Sequence, residues 1–348
     1  MEAIGVIINY IVKKKVSMDM RIVDLHCDTV HELNKLRVKG EHYNLYKSDG
    51  HLDIEKMQAG GYLVQCFAAY VCMREVESPY LQAKALADLY RQLCAEYSPY
   101  IAPVYHFSDI EENAKKGLIS GILTIEEGGA LEGSLDKLRE FYEYGVRMIT
   151  LTWNFPNEIG YPSCREEIAL PEVSNWKVKG EYPGLTKRGI EIVEKMEEQG
   201  IIVDVSHLSD AGFWDVTEIT KKPFVASHSN ARSICPHKRN LSDAQIRTIG
   251  ERGGVIGLNF ADDFLEKDPT KLTWDSFIRN IKHMIKMGGE DVLALGSDFD
   301  GIPTNPLIPH AGAVPCLFEV MEQNGIPASV IDKMAGANAL RVMKEVLK

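Results

Sequence analysis

Three of the ten histidines end short apolar runs: His26 in RIVDLHCD, His207 in IIVDVSH and His228 in PFVASH. Two further runs end in carboxylates, GILTIE at Glu126 and VLALGSDFD at Asp298 and Asp300. A side chain that closes a β-like run projects from the rim of a sheet or barrel. Imidazoles and carboxylates gathered on such a rim are the donor set of a first-row divalent metal. His26 and Asp28 alternate with Cys27, so on a strand they share a face and can ligate one ion. Asp24 lies one step deeper on that face, either orienting a ligand or serving as a hydrogen-bonded structural acid. Of Glu126 and Glu127, alternation turns only one into a barrel mouth, where a carboxylate can bridge two metals. His207 and His228 end consecutive runs, so they are neighbours able to hold a second ion. In a closed ring Asp298 falls beside the first strand, within reach of a water whose proton it can take and return. Asp300 has the same facing but lies further into the loop, in a structural or supporting place.

Such a rim needs strands to carry it. Eight apolar, β-branched runs recur, over 21–28, 62–71, 120–127, 146–153, 201–207, 223–228, 254–260 and 291–300. Helical patterns lie between them: the stretch after Pro79, LDKLREFYEYG, LTKRGIEIVEKMEEQG, LSDAQIRTIGERG and WDSFIRNIKHMIKMGG. Several end in Gly, as helix C-caps do, and Ser209-Asp210 and Ser242-Asp243 are helix-start pairs. Near-continuous apolar strands alternating with helices predict a parallel sheet covered on both faces. Eight strands close a (β/α)8 TIM-type barrel, with the metal site at the C-terminal ends of the strands. A doubly wound open sheet is the competing architecture, but it does not readily gather ligands from five separate strands around one point. No Pro-, Gly- or Ser-rich linker divides the chain, so residues 21–348 read as a single domain. ASVIDKMAGANALRVMKEVL is its closing helical element.

Composition excludes some partners. The chain has 348 residues, 45% of them hydrophobic, and a formal net charge of −11. That acidic balance, without a Lys/Arg run, argues against nucleic acid. The seven cysteines are odd in number and form no CxxC pair. They read as reduced thiols in a cytoplasmic protein. IGVIINYIV near the N-terminus is too short to span a bilayer. KKK follows it, the reverse of signal-peptide order. Residues 1–20 therefore read as an N-terminal extension: a poorly ordered tail, sequence upstream of a start at Met18 or Met20, or an arm packed on the domain.

The landmarks VDLHCDT, TIEEGG, LREFYEYGVRMITLTWN, VDVSHLSD, FVASHSNARSICPHKRNLSD, GLNF and LGSDFDG stand in order along the chain. With them the sequence resembles the membrane (renal) dipeptidase family of zinc peptidases, family M19, within the amidohydrolase-like barrels. The resemblance runs from about Arg21 to the C-terminus. It implies a (β/α)8 barrel with two Zn2+ per chain. His26 and Asp28 would bind one metal, His207 and His228 the other, and Glu126 would bridge them. Asp298 matches the catalytic acid/base, and a metal-bridging hydroxide would be the nucleophile. Arg239, in HKRNLSD, matches the Arg that holds the substrate's C-terminal carboxylate, a task suited to a guanidinium fork. The implied substrates are dipeptides, and a homodimer is the implied assembly.

Trp153 departs from the pattern, standing where mammalian members have His. An indole donates one N–H and cannot be protonated, so the mammalian substrate range and pH dependence do not carry over. Its ring is expected to face the site as an apolar wall. No hydrophobic C-terminal tail of the kind that precedes a lipid anchor follows, so no membrane anchor is expected. One rival is a related barrel amidohydrolase acting on a cyclic amide, a lactone or an acyl amino acid. Many of these bridge their metals with a carbamylated Lys, and no ligand-bearing strand here ends in Lys. The other rival is a non-catalytic binding protein, which would be expected to have lost a ligand. This chain keeps all five together with Asp298.

Overall fold

The computed structural model describes residues 22–163 and 183–348. The extension expected at 1–20 lies outside the described residues, as does Cys164. Runs rich in Val, Ile and Leu become parallel strands because both of their faces are buried. The strands are β1 (Ile22–Asp24), β2 (Tyr62–Tyr70), β3 (Ile101–Pro103), β4 (Ile119–Glu126), β5 (Val146–Thr150), β6 (Ile202–Asp204), β7 (Val225–Ala226), β8 (Val255–Leu258) and β9 (Leu293–Leu295). Their order is β2-β1-β9-β8-β7-β6-β5-β4, and β2 pairs in turn with β4. Eight strands thus close a (β/α)8 barrel, and the open-sheet alternative is excluded. The ninth, β3, was not expected from the sequence. It is three residues long, ends in a proline and pairs only with the start of β4, through Ile101 and Ile119. It stands outside the ring.

The strands end level with one another. Tyr70 pairs with Glu126, Glu126 with Thr150, Thr150 with Asp204 and Asp204 with Val225. The expected strands are longer than the observed ones at this rim. Only β4 runs into its candidate ligand. His26, His207, His228 and Asp298 lie two or three residues past the last strand residue. Val64, Ile122, Met148, Ile202, Val225 and Val255 form one apolar cluster with Val342, Met343 and Val346 of the last helix, Asn338–Val346. The expected helix starts are present. Ser209 accepts from Gly212 N–H, and Ser242 forms a reciprocal cap with Gln245. Gly257 and Gly296 admit the Ser227 carbonyl oxygen between neighbouring strand ends. A Cβ on either would lie 1.9 or 1.8 Å from it. Among the described residues no helix is long and apolar enough to cross a membrane.

Candidate metal centre

The barrel brings His26, Asp28, Glu126, His207, His228 and Asp298 together, each no more than 8% exposed. Glu126 sits at the middle. One of its oxygens, Oε1, lies 3.0 Å from His207 Nε2 and 3.4 Å from His228 Nε2. The other, Oε2, lies 3.4 Å from His26 Nε2. Asp28 Oδ2 and Asp298 Oδ1 lie 3.6 and 3.8 Å from that same His26 nitrogen. The His26 and His228 rings stack with centroids 4.0 Å apart. Two sets of donor atoms are each compact enough for one ion: His26, Glu126 and His228, and His26, Asp28 and Asp298.

The aim of each side chain is set locally. Glu126 keeps the alternation of β4. Glu127 leaves it at φ 98° and turns away, accepting from Gly129 N–H at 2.6 Å, Trp153 N–H at 3.0 Å and the Asn157 amide. It is fully buried, neither solvated nor a ligand. His207 and Asp298 adopt left-handed backbone, φ 68° and 63°. Strand alternation therefore does not govern them, and the turn itself aims them inward. The far nitrogens of two imidazoles are held as metal-binding histidines usually are. His207 Nδ1 meets Asn154 Oδ1 at 3.0 Å, and His228 Nδ1 meets Ser227 Oγ at 2.7 Å. Asp298 Oδ2 accepts from Asn259 Nδ2 at 2.9 Å, which leaves Oδ1 facing the centre. Asp24 is fully buried and bound to Ser297, and Asp300 accepts from Thr29 Oγ1 and His51 N–H. Neither belongs to a donor set at the centre, although Asp300 also lines a pocket that opens onto it.

Electrostatics favour cation binding. Burial, and next the Arg239 charge, lower His207 to about 4. Burial and then the His26 charge hold His228 well below the usual range. Both rings are therefore neutral with lone pairs to offer. Burial alone would raise Glu126. The charge on His26, first, and the close approach of the His207, His228 and His26 imidazoles outweigh it and keep the carboxylate ionised. Burial and the neighbouring Glu126 push Asp28 up to about 7. Burial also opposes protonation of His26, but Glu126 and Asp28 override it and raise this imidazole. Three carboxylates this close in a buried space require positive charge. Without a metal, a proton on His26 supplies part of it.

Among the described buried side-chain atoms without a hydrogen-bond partner, two lie at the centre, His26 Nε2 and Asp28 Oδ1. Gly301 backs the cluster so tightly that a Cβ there would lie 2.1 Å from Asp28 Oδ2 and 2.6 Å from Asp298 Oδ1. The donor set, the orphaned atoms and the crowding of the acids fit a metal.

A pocket of about 310 Å³ opens onto the centre. Its size is at the low end for small-molecule sites. Arg239 and Trp153 both line it, as do Tyr70 and His31. Arg239 is 4% exposed, and its guanidinium donates to the His228 carbonyl at 3.1 Å. Trp153 packs edge-on against Tyr70, with centroids 5.0 Å apart. Tyr70, Asn154 and Asn259 were missed in the sequence. Tyr70 did leave a signal, an aromatic closing the run YLVQCFAAY. Asn154 and Asn259 are single polar residues just past strand ends and left none.

A parallel barrel with a His–carboxylate cluster on its C-terminal rim defines a metallo-hydrolase of the amidohydrolase-like class. The family model for membrane dipeptidase (peptidase family M19) matches residues 12–348. The chain belongs to this family and is a metallo-dipeptidase. It is 34% identical over 261 residues to an uncharacterised protein in the pqqA 5′ region of Klebsiella pneumoniae, covering 74% of this chain and 93% of that one. It is 30% identical over 354 residues to an uncharacterised dipeptidase of Schizosaccharomyces pombe, covering 95% and 82%. A metallo peptidase from Rhodobacter sphaeroides, solved with a phosphinate mimic of the dipeptide L-Ala-D-Ala, superposes with a TM-score of 0.84 at 26% identity. That match covers 94% of this chain and 99% of the other.

Proposed function

We propose that this metallo-dipeptidase holds two zinc ions per chain and hydrolyses dipeptides that carry a free C-terminal carboxylate. The observation that carries the two-metal reading is the split of Glu126. Its Oε1 faces His207 and His228, and its Oε2 faces His26. Such a carboxylate would serve two ions at once. His26 and Asp28 would hold one, His207 and His228 the other. Imidazole and carboxylate donors suit zinc. Zinc bound there would supply a water of lowered pKa and polarisation of the substrate carbonyl.

The remaining roles fall to the chain's own residues. Asp298 Oδ1 takes a proton from the attacking water and returns it to the leaving amine nitrogen. Asn259 keeps Oδ2 occupied, so the proton moves through a single oxygen. Arg239 grips the substrate's terminal carboxylate, and its depth in a small pocket excludes longer peptides. Trp153 and Tyr70 form an apolar wall that favours an apolar portion of the substrate and keeps bulk water out. The dipeptide mimic on the Rhodobacter sphaeroides relative supports this substrate class, because a tetrahedral phosphinate resembles the transition state of amide hydrolysis. The free thiols of the six described cysteines support a reducing, cytoplasmic setting.

The test is a kinetic panel run with metal analysis on the same sample. Free dipeptides should turn over, while C-terminally amidated dipeptides and tripeptides should be poor substrates. The sample should approach two equivalents of zinc. Equal turnover of acid and amide would move the activity to the cyclic-amide or acyl-amino-acid class.

A further inference from the structure

Two fully buried aspartates that the mechanism does not use share three hydrogen bonds atom for atom, and Asp204 adds a fourth. In β1, Asp24 Oδ1 accepts from His26 N–H at 3.3 Å and Ser297 N–H at 2.9 Å, and its Oδ2 accepts from Ser297 Oγ at 2.6 Å. In β6, Asp204 Oδ1 accepts from Ser206 N–H at 3.0 Å and Ser227 N–H at 2.8 Å. Its Oδ2 accepts from Ser227 Oγ at 2.5 Å and Thr150 Oγ1 at 2.6 Å. Both acids end an Ile-Val-Asp strand, Ile22–Asp24 and Ile202–Asp204. Each reaches across to a serine on the adjoining strand end, and the residue after that serine belongs to the centre: Asp298 after Ser297, His228 after Ser227.

We propose that Asp24–Ser297 and Asp204–Ser227 are two positioning latches, each dedicated to one function of the centre. This rests on the two-metal reading. The Asp204 latch sets metal affinity on the His207/His228 side. Ser227 Oγ is shared between Asp204 and His228 Nδ1, so it fixes the rotation of the imidazole that offers Nε2. Ser206, tied through its N–H to the same acid, meets His228 N–H through its hydroxyl at 3.1 Å. The Asp24 latch sets the proton carrier. Among the described hydrogen bonds Ser297 makes none to an imidazole ring. Its hydroxyl donates to Asp24 and lies 3.2 Å from the His26 carbonyl, to which Asp298 N–H donates at 3.2 Å. What this latch fixes is therefore the left-handed turn that presents the Asp298 carboxylate. Locked hydrogen-bond partners can hold such aims within about 0.5 Å.

The experiment compares Ser227→Ala with Ser297→Ala in the metal-loaded enzyme. Both remove one hydroxyl from an equally buried site, so a merely structural role lowers thermal stability alike and distinguishes nothing else. A chelator-competition titration of zinc and the split between kcat and KM provide the discriminating readouts. Ser227→Ala should weaken one zinc equivalent roughly 10–100-fold, the usual weight of a ligand's hydrogen-bond partner, and make turnover depend on added zinc. Ser297→Ala should bind both equivalents as the wild type does and lower kcat about 10-fold at unchanged KM. If either serine variant fails to fold, Asp204→Asn replaces the first and Asp24→Asn the second, with the same readouts expected. Equal loss of zinc affinity in both variants, or a change in thermal midpoint alone, would overturn the assignment. A wild type holding only one equivalent would overturn the two-metal reading instead. Even then Ser227→Ala must weaken that ion and Ser297→Ala must spare it.

Discussion

Asp298→Asn separates proton transfer from metal binding, and the surrounding hydrogen bonds dictate how. An asparagine side chain at 298 has two orientations. Asn259 Nδ2 points at the outer oxygen from 2.9 Å, and Asn259 cannot turn round, because its own Oδ1 accepts Ala261 N–H at 2.7 Å. Only the orientation with the new carbonyl facing Asn259 keeps that bond. The reverse would set donor against donor and forfeit about 2 kcal/mol, a preference of roughly 30-fold. The amide NH2 is therefore locked where Oδ1 was, facing the centre, and has no lone pair to accept a proton. We expect kcat to fall by about 10²–10⁴, or roughly 2.7–5.4 kcal/mol of barrier. Zinc content should stay close to that of the wild type. Steady-state kinetics on a free dipeptide, with elemental analysis of the same preparation, checks both points. Turnover within tenfold of the wild type, with metals retained, would remove Asp298 from proton transfer. Loss of metal would make it chiefly a ligand.

The two adjoining glutamates should give opposite phenotypes. Glu126→Ala should strip both zinc equivalents, whereas Glu127→Ala should keep them and lower unfolding stability by about 2–5 kcal/mol. In the latter, three donors lose their acceptor at about 1–3 kcal/mol each, partly offset by relief of a buried acid that burial has raised to about 7. Elemental analysis and denaturant unfolding of both variants decide the point. Arg239→Ala should raise KM for free dipeptides about 100-fold or more and narrow the preference for acid over amide, read from kcat/KM on matched substrates. Gly301→Ala should reduce zinc content and activity together, because its methyl would press on Asp28 and Asp298; a fully loaded, active variant would show that the backbone there yields.

The barrel was legible because parallel strands buried on both faces leave unbroken apolar runs, and eight of them alternate with helical patterns. β3 was not, since three residues ending in Pro103 carry no such run. The ligand set was legible as residue types at strand ends. The way each side chain is aimed was not. Alternation holds for Glu126, which lies within β4, and it fails for His207 and Asp298, where the chain has already turned left-handed. Glu126 and Glu127 looked equivalent in sequence because the flip at φ 98° follows from packing against Gly129, Trp153 and Asn157. These are tertiary contacts without periodicity. Asn154 and Asn259 escaped notice for the same reason.

The left-handed turns at His207 and Asp298 also bear on how this protein can change over generations. Each costs about 1 kcal/mol that Gly would not incur there. Each also forces a polar group into a crowded, dehydrated space. Abandoning the chemistry at either position is therefore downhill for the fold. A duplicated copy freed from the need to cleave peptides would gain robustness by shedding these residues first, while the ring of strands beneath stayed whole. Descendants of this barrel that bind without cutting would be recognised by Gly or Asn at 207 and 298 and by higher melting temperatures. This chain keeps His and Asp at both left-handed turns.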